Sequence, residues 1–274
     1  MNKEEIIYKL KDILGSEFEV HLLNVEKLNN TKNGIVIKKN SEQIGPIVYF
    51  ENLPNDPDEA LAYILVMYNQ TRDKVEQLNF MYDYEWVKPR IQLRLFNKEW
   101  NRDILDTFVH ITTEDELTVG AWVEYYSDDE CTASFKITKE LCNLWGVIES
   151  QIIEEGFKNF AKDKTKIYYS KFFFPGLSVF SNESGFNGAI RILDREAIRH
   201  ASQTLDDDLY FLPSSIHEWM VIPAKEVYSV WVLQEIVKSA NQEVVAPEER
   251  LGENVYFYNR EEDSLKMVEE EDGK

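Results

Sequence analysis

The chain has 274 residues, of which 43% are hydrophobic and 13% aromatic, so it can bury a core and is not globally disordered. Its 50 Asp and Glu against 30 Lys and Arg give a formal net charge of −20, which disfavours generic binding to nucleic acid or anionic membranes because phosphate contacts need cationic side chains. No apolar run is long enough to cross a bilayer and the first residues do not form a secretory signal, so the sequence predicts a cytoplasmic protein.

Strand pairs followed by helices are predicted along the first part of the chain. The apolar spacing of residues 2–14 predicts a helix that ends at Gly15, and the Asn-Gly pair that closes residues 29–34 indicates a hairpin turn. Thr138 is expected to cap a helix that extends to Phe160. The other elements predicted in this part are strands at 18–23, 35–37, 47–50 and 91–96, a helix at 57–78, and a hairpin of 117–126 with 131–137.

The same order of elements continues in the rest of the chain. Residues 188–193, which follow a predicted turn at 181–185, are predicted to be a strand, and Asp194 is expected to cap the short helix that follows. Residues 213–218 are predicted to be a turn between two strands, and the acidic residues 269–274 to be a disordered tail. The other elements predicted in this part are strands at 177–180, 209–212, 219–222, 254–258 and 265–268, and a helix at 227–240.

These elements predict an α+β fold, with antiparallel strand pairs and meanders covered by helices. Their alternation is too irregular for a Rossmann or barrel repeat. The polar, lysine-rich stretch 161–166 could divide the chain into two sub-domains. On this interpretation residues 1–160 form an N-terminal α+β part, and residues 167–268 form a C-terminal α+β part.

Potential catalytic chemistry is concentrated in the predicted turn after the strand at 209–212. Ser214, Ser215, His217 and Glu218 supply two hydroxyls, an imidazole and a carboxylate, and Ser215 and His217 would share one face of a strand. A serine hydrolase needs such a base beside its nucleophile, but the segment has no Gly-x-Ser-x-Gly elbow. A turn whose serines bond backbone groups is therefore favoured, and these four residues are the candidate catalytic residues.

Metal and cofactor sites have no signature in the sequence. No two of the four histidines have helical-neighbour spacing, and neither an EF-hand nor a phosphate-binding glycine motif is present. The acidic clusters at 128–130 and 206–208 are interpreted as charged loops. Cys142 is expected to be a small buried residue and Cys131 a more exposed thiol. The sequence therefore predicts no metal, no cofactor and two free cysteines.

Several segments together resemble an uncharacterised family of proteins. They are residues 34–37, 45–51, 177–182, 188–189 and 255–258, and most specifically the sequence Leu-Pro-Ser-Ser-Ile-His-Glu at 212–218. The family resembled is one of unknown function, found in clostridia and related Firmicutes and in their mobile elements. The resemblance implies a bacterial, cytosolic, single-chain protein and supplies neither an activity nor catalytic residues.

With no catalytic or cofactor signature, the leading expectation is a cytosolic protein-interaction or regulatory protein without a cofactor. Its partner would be another protein with a basic surface, and neither nucleic acid directly nor a membrane. One alternative is a mimic of nucleic-acid charge that inhibits a basic DNA- or RNA-binding enzyme. A second alternative is a hydrolase that uses Ser214, Ser215, His217 and Glu218.

Overall fold

The protein consists of two compact units, residues 1–83 and residues 84–274. The computed structural model describes residues 3–42, 45–111, 113, 115–127, 132–169 and 176–268. The polar stretch 161–166, at which a sub-domain boundary was predicted, lies inside the second unit. The acidic cluster 128–130, Cys131 and the acidic tail 269–274 lie outside the described residues.

The first unit packs two helices with a three-stranded antiparallel sheet of order β1-β2-β3. Ile6 and Leu10 of the first helix share one buried core with Ile35 of the sheet and Ile64 of the second helix. Burial of each such side chain contributes about 1.5–3 kcal/mol. The elements of this unit are α1 (Lys3–Leu14), β1 (Phe18–Lys27), β2 (Asn30–Lys39), β3 (Ile47–Tyr49) and α2 (Pro57–Glu76).

The hairpin between β1 and β2 turns earlier than the sequence predicts. Lys27 pairs with Asn30, so the turn consists of the two residues between them, and Asn29 takes the left-handed conformation with φ 55°. The predicted turn at 29–34 is therefore wrong. Gly34 lies inside β2, where a Cβ would come within 2.5 Å of a side chain of β3, so close strand packing explains this glycine.

The second unit combines two antiparallel sheets whose buried side chains belong to one core. The larger sheet has the order β13-β12-β10-β11-β9-β8, and in the smaller sheet β6 pairs with β4, β5 and β7. The elements are α3 (Tyr84–Val87), β4 (Ile91–Asn97), α4 (Arg102–Leu105), β5 (His110–Ile111), β6 (Leu117–Ser127), β7 (Thr132–Lys136), α5 (Lys139–Trp145), α6 (Glu149–Phe160), β8 (Thr165–Tyr169), β9 (Ser178–Asn182), α7 (Arg195–Leu205), β10 (Leu209–Ser215), β11 (Glu218–Pro223), α8 (Val230–Glu243), β12 (Tyr256–Asn259) and β13 (Ser264–Met267). The predicted α+β class is confirmed.

Two predicted helix caps are confirmed, and the helix after the first one is shorter than predicted. The Thr138 side chain accepts a hydrogen bond from the Leu141 N–H, and the Asp194 side chain accepts one from the Ala197 N–H. The single helix predicted from Thr138 onward is divided into α5 and α6 because Gly146 takes the left-handed conformation, with φ 68°, and ends α5.

The segment predicted as a strand at 188–193 is a 3-10 helix, so that prediction is wrong. Residues 188–192 are all buried, and a short apolar run of this kind does not distinguish a strand from a buried helical turn. The neighbouring strand β9 already pairs with β8 and β11 and offers no free edge. The segment instead passes over β11, where the Trp219 Nε1–H donates to the carbonyl oxygen of Ala189 at 2.8 Å.

Candidate functional site

The predicted catalytic segment forms the tight connection between β10 and β11. Ser215 pairs with Glu218, and the register between the strands shifts between Pro213 and Ser215, so Ser214 is the extra residue of a bulge. The Ser215 Oγ accepts a hydrogen bond from the backbone N–H of His217 at 3.1 Å. The predicted turn at 213–218 is therefore wrong in its bounds, because Ser214 and Ser215 end β10, Glu218 begins β11, and only Ile216 and His217 lie between the strands. Of the two serines, Ser215 bonds a backbone group of this turn.

The imidazole of His217 is turned toward a neighbouring loop. Its Nδ1 accepts the backbone N–H of Asn187 at 3.0 Å, its Nε2 lies 3.6 Å from Oε1 of Glu249, and its ring contacts the edge of Phe186. Among the residues that the structure describes, no hydrogen bond joins this imidazole to either serine hydroxyl. A hydrolytic role would therefore require the side chains to rearrange.

The loop that His217 holds comprises residues 182–187 and is called the cleft loop here. The Asn182 side chain closes this loop, because its Oδ1 accepts the Gly185 N–H and its Nδ2 donates to the Phe186 carbonyl oxygen. Asn187 follows with φ 52°, a left-handed conformation that asparagine tolerates. Hydrogen bonds at both ends of the loop fix its backbone, which is the condition for a preorganised binding surface.

A cleft of about 340 Å³ lies beside the cleft loop within the second unit. Its walls are formed by β4 with Pro89 before it, β6, the end of α6 with the residues after it, the cleft loop, and Ile190 of the 3-10 segment. Its size is at the lower end of small-molecule sites. Its polar lining side chains include Gln92, Arg94, Glu124, Asn159, Lys162, Asp163 and Asn187.

Arg94 is the most unusual side chain in this cleft. It is only 9% exposed, yet its Nε and Nη2 have no hydrogen-bond partner among the described residues. The nearest carboxylate is that of Glu124, whose Oε2 lies 3.8 Å from Nη2, beyond hydrogen-bonding distance. Arg94 carries no signal of its burial in the sequence, because strict alternation in β4 suggests that the side chain points to solvent.

Burial favours the neutral forms of Arg94 and Glu124 and shifts the pKa of each group accordingly. Desolvation lowers the pKa of Arg94 to about 10, and the charge of Glu124 offsets only part of this effect. Desolvation also raises the pKa of the Glu124 carboxyl, with Arg94 acting in the opposite direction. Arg94 still carries its charge at neutral pH, so the cleft contains a cation that is ion-paired with Glu124 but whose Nε and Nη2 donors have no acceptor among the described residues.

The family of unknown function (DUF5688) matches residues 2–168 and 170–260, which is most of the chain. The chain belongs to this family. No curated protein matches the sequence, and no solved structure matches it either. The activity of this DUF5688 member must therefore be argued from its own residues.

Helix α8 presents apolar side chains on both of its faces. Leu233 and Val237 on one face are buried against Leu212 of β10 and Val255. On the opposite face the large side chains are exposed, with Trp231 at 66%. The side chains named the α8 face below are Trp231, Val232 and Ile236, together with the exposed Tyr228 just before the helix.

The acidic cluster 206–208 makes bonds to protein groups. Asp207 accepts the Lys225 N–H, Asp208 accepts the Arg260 N–H, and Asp206 forms an ion pair with the Arg260 guanidinium. No group of three or more potential metal ligands occurs within the described ranges. No helix in the same ranges is both long enough and apolar enough to span a membrane.

Proposed function

We propose that the protein is a cofactor-free interaction protein that docks a basic, amphipathic segment of another protein on the α8 face. The observation that carries this proposal is the exposure of Trp231, Val232 and Ile236 along one side of a helix whose other side is already packed. A helix with one packed face usually places charged residues on the other. A second apolar face is therefore best explained by a partner.

The α8 face has the composition of an interface centre. Tryptophan and tyrosine are enriched among the residues that dominate binding energy, and this face offers Trp231 and Tyr228 together. Val232 and Ile236 lie one helical turn apart and would flank an inserted apolar side chain of the partner. Burial of each of these side chains would contribute about 1.5–3 kcal/mol before the costs of association.

Charge on the same surface indicates the chemistry of the partner. Glu243 is exposed on α8 and Glu226 is exposed shortly before the helix, while Glu235 forms an ion pair with Lys238 at 3.6 Å. These carboxylates are part of the net charge of −20 over the whole chain. A partner with Lys or Arg beside its apolar residues would be attracted and oriented, and the attraction would weaken as salt increases.

The proposal includes a cytoplasmic location and a source among clostridia and related Firmicutes, as the resemblance implies. The free, buried thiol of Cys142 is compatible with a reducing compartment. Mimicry of nucleic-acid charge rests on the same acidity, but it would need carboxylates spread along a surface and would gain little from an apolar helix face. The α8 face therefore favours ordinary protein docking.

A pair of synthetic helical peptides tests the proposal directly. Both carry leucine on one face, and one has lysine and the other glutamate on the opposite face. We expect the lysine peptide alone to bind in calorimetry, more weakly at high salt. Trp231→Ser and Ile236→Ser should each weaken binding about tenfold or more, whereas Tyr8→Ser, which alters an exposed tyrosine (74%) of the first unit, should not.

Three results would overturn the proposal. Equal binding of the two peptides would remove the charge argument, and equal binding by wild-type protein and Trp231→Ser would remove the α8 face. Self-association in sedimentation experiments that Ile236→Ser abolishes would show that a second copy covers the face. In a lysate pull-down across a salt series, partners displaced by DNA but indifferent to Trp231→Ser would favour charge mimicry.

A further inference from the structure

We propose that the cleft beside the cleft loop binds a small zwitterion, namely a free α-amino acid. Its carboxylate would take the Nε and Nη2 edge of Arg94, and its ammonium group would face Glu124. This inference is independent of the α8 face, because the cleft and the α8 face have no lining residue in common.

A second buried arginine shows how this fold satisfies a guanidinium that has only a structural role. Arg191 is 3% exposed, and its three nitrogens donate to Oγ1 of Thr165, the carbonyl oxygen of Phe160 and Oδ2 of Asp194, each at 2.8 Å. Arg94 lies in the same unit and is nearly as buried, but has no such set of acceptors. A buried arginine with bare donors destabilises the fold, which indicates that Arg94 has another role.

The two unsatisfied nitrogens of Arg94 define the chemistry of the missing acceptor. Nε–H and Nη2–H lie on the same edge of the guanidinium and point in parallel, so they match the two oxygens of one carboxylate. Oε2 of Glu124 lies 3.8 Å from Nη2, which is too far for a hydrogen bond. No oxygen of the described residues therefore completes a hydrogen bond to this buried edge.

The other charges in the cleft distinguish a zwitterion from a simple anion. Glu124 and Asp163 bring two carboxylates, which balance the charges of Arg94 and Lys162. The Lys162 ammonium already donates to Oδ1 of Asn159 at 3.0 Å. Glu124 would repel phosphate or sulfate bound at Arg94, whereas it would attract the ammonium group of an amino acid.

The dimensions and rigidity of the cleft suit a ligand of this size. Its volume of about 340 Å³ is at the lower end of small-molecule sites and leaves room for a side chain beyond the carboxylate and ammonium groups. The cleft loop is held by the bond from the Asn187 N–H to His217, so its position does not depend on the ligand. A site held in this way loses little conformational entropy on binding.

The test uses the full chain and each of the genetically encoded L-amino acids in turn, by thermal shift and then calorimetry. We expect saturable binding of at least one amino acid. Arg94→Met should abolish it, and the melting temperature of the unliganded variant should stay the same or rise, because an unpaired buried charge is removed. Arg94→Lys keeps the charge without the paired donors and should weaken binding about tenfold or more. Arg260→Met, which alters an exposed arginine, should have no effect on binding.

Glu124→Gln separates the zwitterion from a plain carboxylate. This variant should weaken binding of the amino acid and strengthen binding of acetate at the same site, because it removes the countercharge of the ammonium group and the repulsion of the anion together. The inference is overturned if no amino acid binds saturably, if Arg94→Met binds as tightly as wild type, or if acetate or phosphate binds wild type as tightly as the best amino acid.

Discussion

Nδ1 of His217 accepts the backbone N–H of Asn187 across 3.0 Å, and this bond joins the β10–β11 hairpin to the cleft loop. The carbonyl oxygen of His217 also accepts a hydrogen bond from Oγ of Ser181 at 2.7 Å, which ties the same residue to β9. His217, one of the four candidate catalytic residues, therefore connects three segments of the fold: the β10–β11 hairpin, the cleft loop and β9. Its imidazole holds the cleft loop through the Asn187 N–H, and among the described residues it makes no hydrogen bond to a serine hydroxyl.

Replacement of this histidine should affect stability before it affects any chemistry. His217→Ala leaves the Asn187 N–H without its acceptor, so we expect a loss of about 1–3 kcal/mol in urea unfolding. His217→Asn offers an amide oxygen and should recover part of the loss. We also expect that a fluorophosphonate probe labels neither Ser214 nor Ser215. Labelling that disappears in a folded His217→Ala variant would instead support the hydrolase interpretation.

Local signals in the sequence predicted local features, and they did so for physical reasons. Thr138 and Asp194 cap their helices because a cap depends on a residue and the backbone three positions later. The strand predicted at 188–193 is wrong because a short apolar run does not distinguish a strand from a fully buried 3-10 segment. Burial on all sides is a property of the packed fold and leaves no separate pattern in the segment.

The cleft could not be predicted, because its parts are far apart in the sequence. Arg94, Glu124 and Asn187 come from two strands and a loop that meet only in the folded unit. The α8 face had a weak signal that was missed. Trp231, Val232 and Ile236 lie on one side while Leu233 and Val237 occupy the other, so the helix has more apolar residues than one face needs.

Gly188 lies where the cleft loop, β9 and the hairpin approach one another. A Cβ at this position would overlap Oγ of Ser181 and would lie 2.7 Å from the His217 carbonyl oxygen. Because backbone atoms must shift to make room, we expect Gly188→Ala to cost about 3 kcal/mol in chemical denaturation. Gly185→Ala is the control. Its Cβ would meet no atom within 4 Å, and it should cost about 1 kcal/mol for its φ of 73° alone. Equal losses would contradict the packing argument.

The ion pair of Arg191 with Asp194 should be among the most sensitive polar contacts in the second unit. Asp194→Ala removes the acceptor of a buried guanidinium and a helix cap, so we expect a loss of about 3 kcal/mol, at the low end for buried pairs because Asp194 is partly exposed. Asp194→Asn retains the cap and should lose less. Urea unfolding at neutral pH compares the free energies of unfolding of the two variants. The prediction would be contradicted if Asp194→Ala lost less stability than removal of an ordinary helix cap costs.

The pH dependence of this pair has a definite sign. Burial acts to raise the pKa of Asp194, but hydrogen bonds from Thr165, the Ala197 N–H and Arg191 outweigh it, so the folded pKa lies below the ordinary value. The unfolded chain therefore takes up the proton first as the pH falls, and stability present above the ordinary aspartate pKa is lost on acidification. The difference between wild type and Asp194→Asn should shrink through this acidic range.

Glu116 should show the opposite behaviour. Its Oε1 is buried without a hydrogen-bond partner among the described residues, and burial raises the pKa of its carboxyl. The folded protein then retains a proton that the unfolded chain has already lost, so stability falls as the pH rises through the folded pKa. Glu116→Gln should stabilise the protein at neutral pH by about 1 kcal/mol, or about 2–4 °C in the melting temperature. The gain should vanish below the ordinary glutamate pKa, and the exposed Glu253→Gln should show neither effect.

The place at which the chain divides can be tested with fragments. Leu93 and Val119 of the smaller sheet share one buried cluster with Phe180 and Trp219 of the larger sheet. A fragment of residues 167–268 would expose the surface that these residues cover, so we expect it to lack a cooperative thermal transition. Residues 84–274 contain the whole cluster and should unfold cooperatively. The predicted boundary at 161–166 would be supported, against this expectation, if residues 167–268 alone gave a sharp transition and dispersed amide resonances.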